Sequence, residues 1–398
     1  MGAAERGGGA GRLPGREAPI RLDVEARDGH ARAGRLVTRR GVVETPVFMP
    51  VGTQGAVKGL LPDELHELGA RIVLANTYHL HVRPGELLIR DLGGLHLFSG
   101  WAGPILTDSG GYQVYSLAKL RKLDESGVTF RDHVEGTERR LTPARSIEIQ
   151  EDLGADIMMA LDDCTGEPWD RDAAAAAMER TLSWLPRHGA ARRDGSAALF
   201  GIVQGGVFED LRAHSLERTV EQGLDGYALG GVSVGESRDD MKQVVESFGP
   251  RLPDDRPRYL MGMGRPSDLL DGVAAGFDMF DCVLPTRHGR TAQLFSSRGV
   301  VNIRNARHRA DGRPVDEDCG CPVCRRLSRA YLRHLYLSGD MLGPRAGTIH
   351  NLWHYFTLMR RIREAILSGS FASFRRGVLA GLRAGDERAA VETDETRP

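Results

Sequence analysis

The chain has 398 residues, 41% of them hydrophobic and 27% charged, a usage close to that of globular proteins which excludes global disorder and allows a substantial core. Its 53 Lys and Arg balance 54 Asp and Glu, so bulk charge offers no argument for a nucleic-acid partner, and any such contact must come from a local patch. No apolar run approaches the ~18 residues of a membrane helix and the N-terminus lacks a secretory core, which points to a cytosolic protein without a membrane partner.

Residues 1–18 combine Gly, Ala and Arg without apolar periodicity and read as a flexible leader. Short apolar runs ending in Gly, Asp or Asn then alternate with segments of helical period, as repeated βα units require. Eight strands are expected, at 47–53, 71–77, 103–111, 155–163, 198–206, 226–235, 258–264 and 279–286. Helix starts between them are signalled by Pro62-Asp63-Glu64, by Ser237 ahead of Arg238-Asp239-Asp240, and by Pro266-Ser267-Asp268. The alternation predicts an α/β fold, a (β/α)8 TIM barrel over 19–385, with a doubly wound open sheet as the alternative. Within it, 311–355 is expected to be a zinc-binding insertion and 356–384 C-terminal helices, followed by a polar, flexible tail at 386–398.

Catalytic groups of such barrels gather at the C-terminal ends of the strands. Asp108, Asp162, Gln204, Gly230, Gly231, Met261 and Asp281 all fall late in their predicted strands, so distant positions are expected to converge on one mouth. Two carboxylates there suit glycosidic chemistry, one attacking the anomeric carbon while the other manages the leaving group's proton. Taken singly, Asp108 or Asp281 could equally be a helix cap or turn residue, and Gly110-Gly111 could mark a close backbone approach to a phosphate. Asp162 and Asp163 form a second acidic pair, or else one caps a turn and the other is solvated.

Five cysteines is an odd count, and three of them crowd into CGCPVC as Cys319, Cys321 and Cys324. With His350 they make a set of three thiolates and one imidazole, which fills a tetrahedral zinc and leaves no position for water, the mark of a structural Zn2+. The expected role is to tie a loop to the helix that His350 begins; His334 and His354 compete as the fourth ligand. From Arg287 to Arg333 there are eleven arginines against four acids, a local positive excess that would suit an RNA backbone or simply form a solvated surface.

These residues sit in TPVFMPVGTQGAVKG, NTYHLHVRPG, GPILTDSGGYQV, ALFGIVQGG, DGYALGGVSVGE, PRYLMGMGRP and DMFDCVLPTR, by which the sequence resembles the bacterial tRNA-guanine transglycosylases from about Arg21 to about Phe374. The resemblance implies a glycosyltransferase that exchanges guanine at the wobble position of tRNAs for Asp, Asn, His and Tyr against 7-aminomethyl-7-deazaguanine (preQ1), without a nucleotide cofactor. Asp281 would be the nucleophile and Asp108 the general acid/base. Asp162, Gln204, Gly230 and Gly231 would address the edges of the base, Tyr112 and Met261 would cover its faces, Val234 would narrow the pocket as in the bacterial subtype, and Cys164, also substrate-binding, fits the bacterial pattern. Arg265, Arg287 and Arg290 would hold a splayed U-G-U of the anticodon loop, and the enzyme would be a homodimer.

The sequence departs from the bacterial pattern at Gly166, where proline is expected, at Asp163 and Gly206, and at His288-Gly289 after PTR, which bears on the RNA contacts of that loop. A queuine-inserting relative, a non-catalytic RNA-binding relative and a carbohydrate-active barrel are the competing functions. Both Asp108 and Asp281 are present, against the second; the zinc motif and arginine cluster weigh against the third.

Overall fold

The computed structural model describes residues 18–117, 121–193 and 195–394; of the leader, residues 1–17 lie outside it. The chain opens with three antiparallel strands, β1 (Ile20–Asp28), β2 (Ala31–Thr38) and β3 (Gly41–Thr45), which form a sheet of their own. The barrel begins with β4 (Val47–Gly52), α1 (Pro62–Leu68) and β5 (Val73–Ala75). Short helices α2 (Thr77–Val82), α3 (Glu86–Asp91) and α4 (Gly94–Ser99) lead to β6 (Ile105–Thr107) and α5 (Gly111–Leu117). A second antiparallel sheet is inserted here, β7 (Arg121–Asp124), β8 (Gly127–Arg131) and β9 (Glu138–Leu141), followed by α6 (Pro143–Leu153).

The remaining units are β10 (Ile157–Met159) with α7 (Arg171–Ala191), β11 (Ala198–Val203) with α8 (Glu209–Val220), and β12 (Gly226–Leu229) with α9 (Arg238–Phe248). They end with β13 (Arg258–Leu260), α10 (Pro266–Ala274), β14 (Met279–Cys282) and α11 (Leu284–Arg290). The hairpin β15 (Gln293–Ser296) and β16 (Gly299–Asn302) precedes the insertion, which holds the helix α12 (Arg329–Ser338), and two long helices follow, α13 (Leu342–Leu367) and α14 (Phe371–Asp394). β4, β5, β6 and β10 to β14 close into one parallel barrel, with β14 pairing with β4 so that Asp281 stands beside Met49.

All eight barrel strands lie inside the predicted runs. The runs are almost continuously apolar because both faces of each strand are buried. Met49, Leu74, Leu106, Met159, Phe200, Ala228, Tyr259 and Met279 point into the barrel and pack with Ile20, Leu22, Leu36 and Val43 of the first sheet, which plugs one end. Their neighbours Phe48, Val73, Met158, Leu199, Leu260 and Phe280 pack outward against the helices. With one end plugged, the opposite mouth remains for chemistry.

The helix starts follow their signals. Ser237 Oγ accepts from Asp240 N at 3.1 Å, and the first turn carries Asp239 and Asp240 against the helix dipole; α1 and α10 start at Pro62 and Pro266. α14 extends past the expected boundary at 385 as far as Asp394, through an Ala-, Glu- and Arg-containing stretch of good helix formers. The three antiparallel sheets, β1–β3, β7–β9 and the hairpin β15–β16, were not anticipated. Among the described residues no helix is long and apolar enough to cross a membrane.

Candidate active site and metal centre

Asp108 follows β6 and is 8% exposed. Its carboxylate accepts from Asn76 Nδ2 and, at 2.8 Å, from Thr77 N, both at the end of β5. Burial pushes its pKa up to about 6 against these donors, and the charge of Asp281 adds to the rise. The two carboxylates, 173 positions apart in sequence, thus come near enough for one charge to act on the other.

Asp281, within β14, is held on one side only. Its Oδ1 accepts from Tyr259 Oη at 2.6 Å and from Gly262 N at 2.9 Å, whereas among the described residues no donor reaches Oδ2. Burial raises its pKa too. One oxygen is anchored, and the other accepts no hydrogen bond among the described residues.

Asp162 lies just beyond β10, 9% exposed, and accepts from Ser109 Oγ at 3.2 Å and from Gln204 Nε2 at 2.7 Å. Burial pushes its pKa up to about 6. Asp163 is neither a turn cap nor solvated: it pairs with Arg180 of α7. Gln204, itself buried, stands against the loop after β12, where a Cβ on Gly231 would come within 2.1 Å of its Oε1 and one on Gly230 within 2.5 Å of Ile202 Cγ2 and 3.6 Å of Met261 Sδ. Gly231 also has φ +61°, so both glycines are required by close approach. Likewise Gly111 brings its backbone against the Asp162 carbonyl, where a Cβ would sit 2.6 Å away; the Gly-Gly pair serves strand-end packing.

Tyr112 is 47% exposed at the start of α5, and partial burial raises the pKa of its hydroxyl. Cys164 is buried, and Val234 N donates to Glu236 Oε2 at 3.0 Å in the loop after β12. At Gly166 a Cβ would fall 1.4 Å from the Tyr115 hydroxyl, which fills the space the expected proline would need.

Arg265 and Arg287 are exposed and Arg290 half-buried, and none of the three forms an ion pair among the described residues. Burial depresses the pKa of His288, and the charges of Arg265 and Arg287 add to the drop. His288 itself stacks on Phe295 with centroids 5.4 Å apart. A Cβ on Gly289 would meet Thr348 N at 2.6 Å. His288 thus packs α11 on β15 and Gly289 packs it on α13. Part of the arginine cluster is likewise structural: Arg313 and Arg329 bind Asp311, and Arg333 donates to the carbonyls of Arg304 and Asn305.

Cys319, Cys321, Cys324 and His350 present ligand atoms within 4.8 Å of one another. His350 Nδ1 lies 3.8, 3.5 and 3.3 Å from the three sulfurs in that order, close to the ~3.6 Å edge of a tetrahedron with Zn–S near 2.3 and Zn–N near 2.0 Å. Its Nε2 donates to Phe295 O at 2.6 Å, which leaves Nδ1 as the free lone pair. The set fits a tetrahedral metal ion, and it selects His350 over His334 and His354. One expectation is corrected: α13 begins at Leu342, so His350 sits two turns inside it, where helix packing and not an exposed terminus holds the ring.

The residues missed in the sequence are those that hold others. Asn76 and Thr77 orient Asp108, Tyr259 anchors Asp281, and buried Arg212 of α8 clasps the loops after β11 and β12. The first three stand in NTYH and PRYL, polar groups closing apolar runs, which was the available signal; Arg212 had none.

The queuine tRNA-ribosyltransferase family model matches residues 27–384. A queuine tRNA-ribosyltransferase of Azotobacter vinelandii is 54% identical over 353 residues, covering 89% of this chain and 95% of the relative. Those of Solidesulfovibrio magneticus and Marinobacter nauticus are each 52% identical, over 90% and 87% of this chain and 96% and 93% of theirs. With matches spanning the barrel, both carboxylates and the metal cluster, the chain belongs to the queuine tRNA-ribosyltransferase family.

Proposed function

We propose that the enzyme exchanges guanine at the wobble position of tRNAs with G-U-N anticodons, those for Asp, Asn, His and Tyr, for preQ1. The observation that carries this reading is the pair of unequal carboxylates, Asp281 with one oxygen anchored and one free, and Asp108 with a pKa near 6. The free oxygen of Asp281 attacks C1′ of the ribose, and the C1′–N9 bond breaks with its electrons passing to the base. Protonated Asp108 supplies the proton to departing guanine. Asp108, now ionised, takes a proton from the incoming base, whose nitrogen displaces Asp281 from C1′ and restores the original anomeric configuration.

Asp162 accepts from the donor edge of the base, and Gln204 with the Gly230-Gly231 backbone addresses its carbonyl side. Tyr112 and Met261 cover its faces, an aromatic and a thioether suited to a flat ring. Cys164 and Val234 shape the pocket for preQ1, and competition between preQ1 and queuine for labelled guanine in tRNA separates the two substrates. Arg265, Arg287 and Arg290, without carboxylate partners among the described residues, hold phosphates around an extruded U-G-U. The Cys3His cluster holds one structural Zn2+, which when bound supplies a rigid crosslink between the insertion and α13. A second copy of the chain covers the exposed apolar residues Tyr331, Leu337 and Met341, giving a homodimer.

The test is Asp281→Asn with tRNA and radiolabelled guanine. Exchange should fall to background, and the protein-RNA adduct that the native enzyme forms on a denaturing gel should vanish. An adduct surviving in the variant refutes the nucleophile assignment.

A further inference from the structure

Arg212 is fully buried, yet no carboxylate among the described residues forms an ion pair with it. Its guanidinium instead donates to four backbone carbonyls. Nε reaches Gly206 O at 2.6 Å, Nη1 reaches Val203 O at 3.2 Å and Gly230 O at 3.1 Å, and Nη2 reaches Gly231 O at 3.1 Å. Two of these acceptors flank Gln204 and two belong to the glycine pair after β12. Room for the side chain is built in: a Cβ on Gly205 would lie 2.7 Å from Arg212 N and 2.8 Å from its Cγ.

A trans peptide points its C=O and its N–H in opposite directions. With the Gly230 carbonyl drawn to Arg212, the Gly231 N–H is turned away from the arginine. Gly230 N is already used, donating to Val203 O at 3.1 Å, but among the described residues Gly231 N donates to nothing. A planar fork with several fixed donors can hold this arrangement; a lysine, a compact point charge with three donors, cannot span the same acceptors.

We propose that Arg212 is a positioning residue for base recognition: by clasping the carbonyls of Gly230 and Gly231 it aims the free Gly231 N–H at the carbonyl oxygen of the purine. The inference rests on the base-exchange reading above. Arg212 touches no substrate, and its effect passes through the direction of one peptide.

The probe is 6-thioguanine, which keeps the donor edge facing Asp162 and replaces only the carbonyl oxygen with a weaker acceptor. By calorimetry the native enzyme should bind guanine about 10-fold more tightly than 6-thioguanine. In Arg212→Lys the guanine affinity and the reciprocal of its KM should drop about 10-fold while kcat and tRNA affinity hold, and the preference over 6-thioguanine should shrink towards one. A folded Arg212→Lys that is weaker for both bases by the same factor overturns the proposal, since a purely structural role predicts that. If Arg212→Lys does not fold, the native comparison still decides, because equal binding of the two bases means no donor is aimed at the oxygen. Failure of the native enzyme to bind either base instead refutes the base-exchange reading itself.

Discussion

Replacing Asp162 by Asn should make the free enzyme more stable at neutral pH while disabling it. The carboxyl is 9% exposed, and burial moves its pKa from an ordinary 3.8 to about 6. Between these values the folded protein binds more protons than the unfolded chain, so stability falls as pH rises through this window and the full cost is present above pH 6. At 1.36 kcal/mol per pH unit, that cost is about 3 kcal/mol. An Asn at 162 does not ionise and can keep an acceptor for Ser109, while Gln204 must turn its amide to remain paired; after that loss a gain of about 1–2 kcal/mol is expected. Urea unfolding of both proteins from pH 4 to pH 8 measures it. The stability difference should be small at pH 4, grow in favour of the variant up to about pH 6 and then level. Guanine binding should weaken about 30-fold or more, since a charged acceptor for the donor edge is lost. A difference between the two proteins that is flat across this pH range would show that the buried charge does not carry this cost.

The metal centre, the glycine pair and the basic rim each give a further expectation. Cys321→Ser should reduce bound zinc measured by elemental analysis and lower the melting temperature by several degrees, because a structural ion contributes to folding outright; full zinc content contradicts the ligand set. Gly231→Ala forces a Cβ toward Gln204 at φ +61° and should cost about 1–3 kcal/mol in urea unfolding and raise the KM for the base about 10-fold, whereas an unchanged KM would mean that the two groups do not share the base pocket. Arg287→Ala and Arg290→Ala should each flatten the plot of log tRNA affinity against log salt by about 0.7 per lost phosphate contact on single-stranded RNA. A slope equal to that of the native enzyme removes the residue from the RNA interface.

The eight barrel strands were legible because burial on both faces writes each as an apolar run, and the candidate site residues Asp108, Asp162, Gln204 and Asp281 stand at or just beyond the ends of those runs. The ligand set was legible because soft donors at close spacing have few other uses. The plugging sheet β1–β3 does alternate buried and exposed residues, as where buried Ile20 and Leu22 of β1 flank exposed Arg21, but alternation in a segment says nothing of which surface its apolar face will meet. Only the closed barrel decides that Ile20 and Leu22 fill its end. In the same way the sequence names Asp281 without saying how its carboxylate is held; only the fold brings Tyr259 and Gly262 to its Oδ1. Arg212 is the extreme case, an arginine on a polar-looking helix face that tertiary packing turns inward. Apolar period and ligand type are local properties of a chain, readable within a few residues, whereas the partner of a polar group depends on chain segments that meet only when the sheet closes.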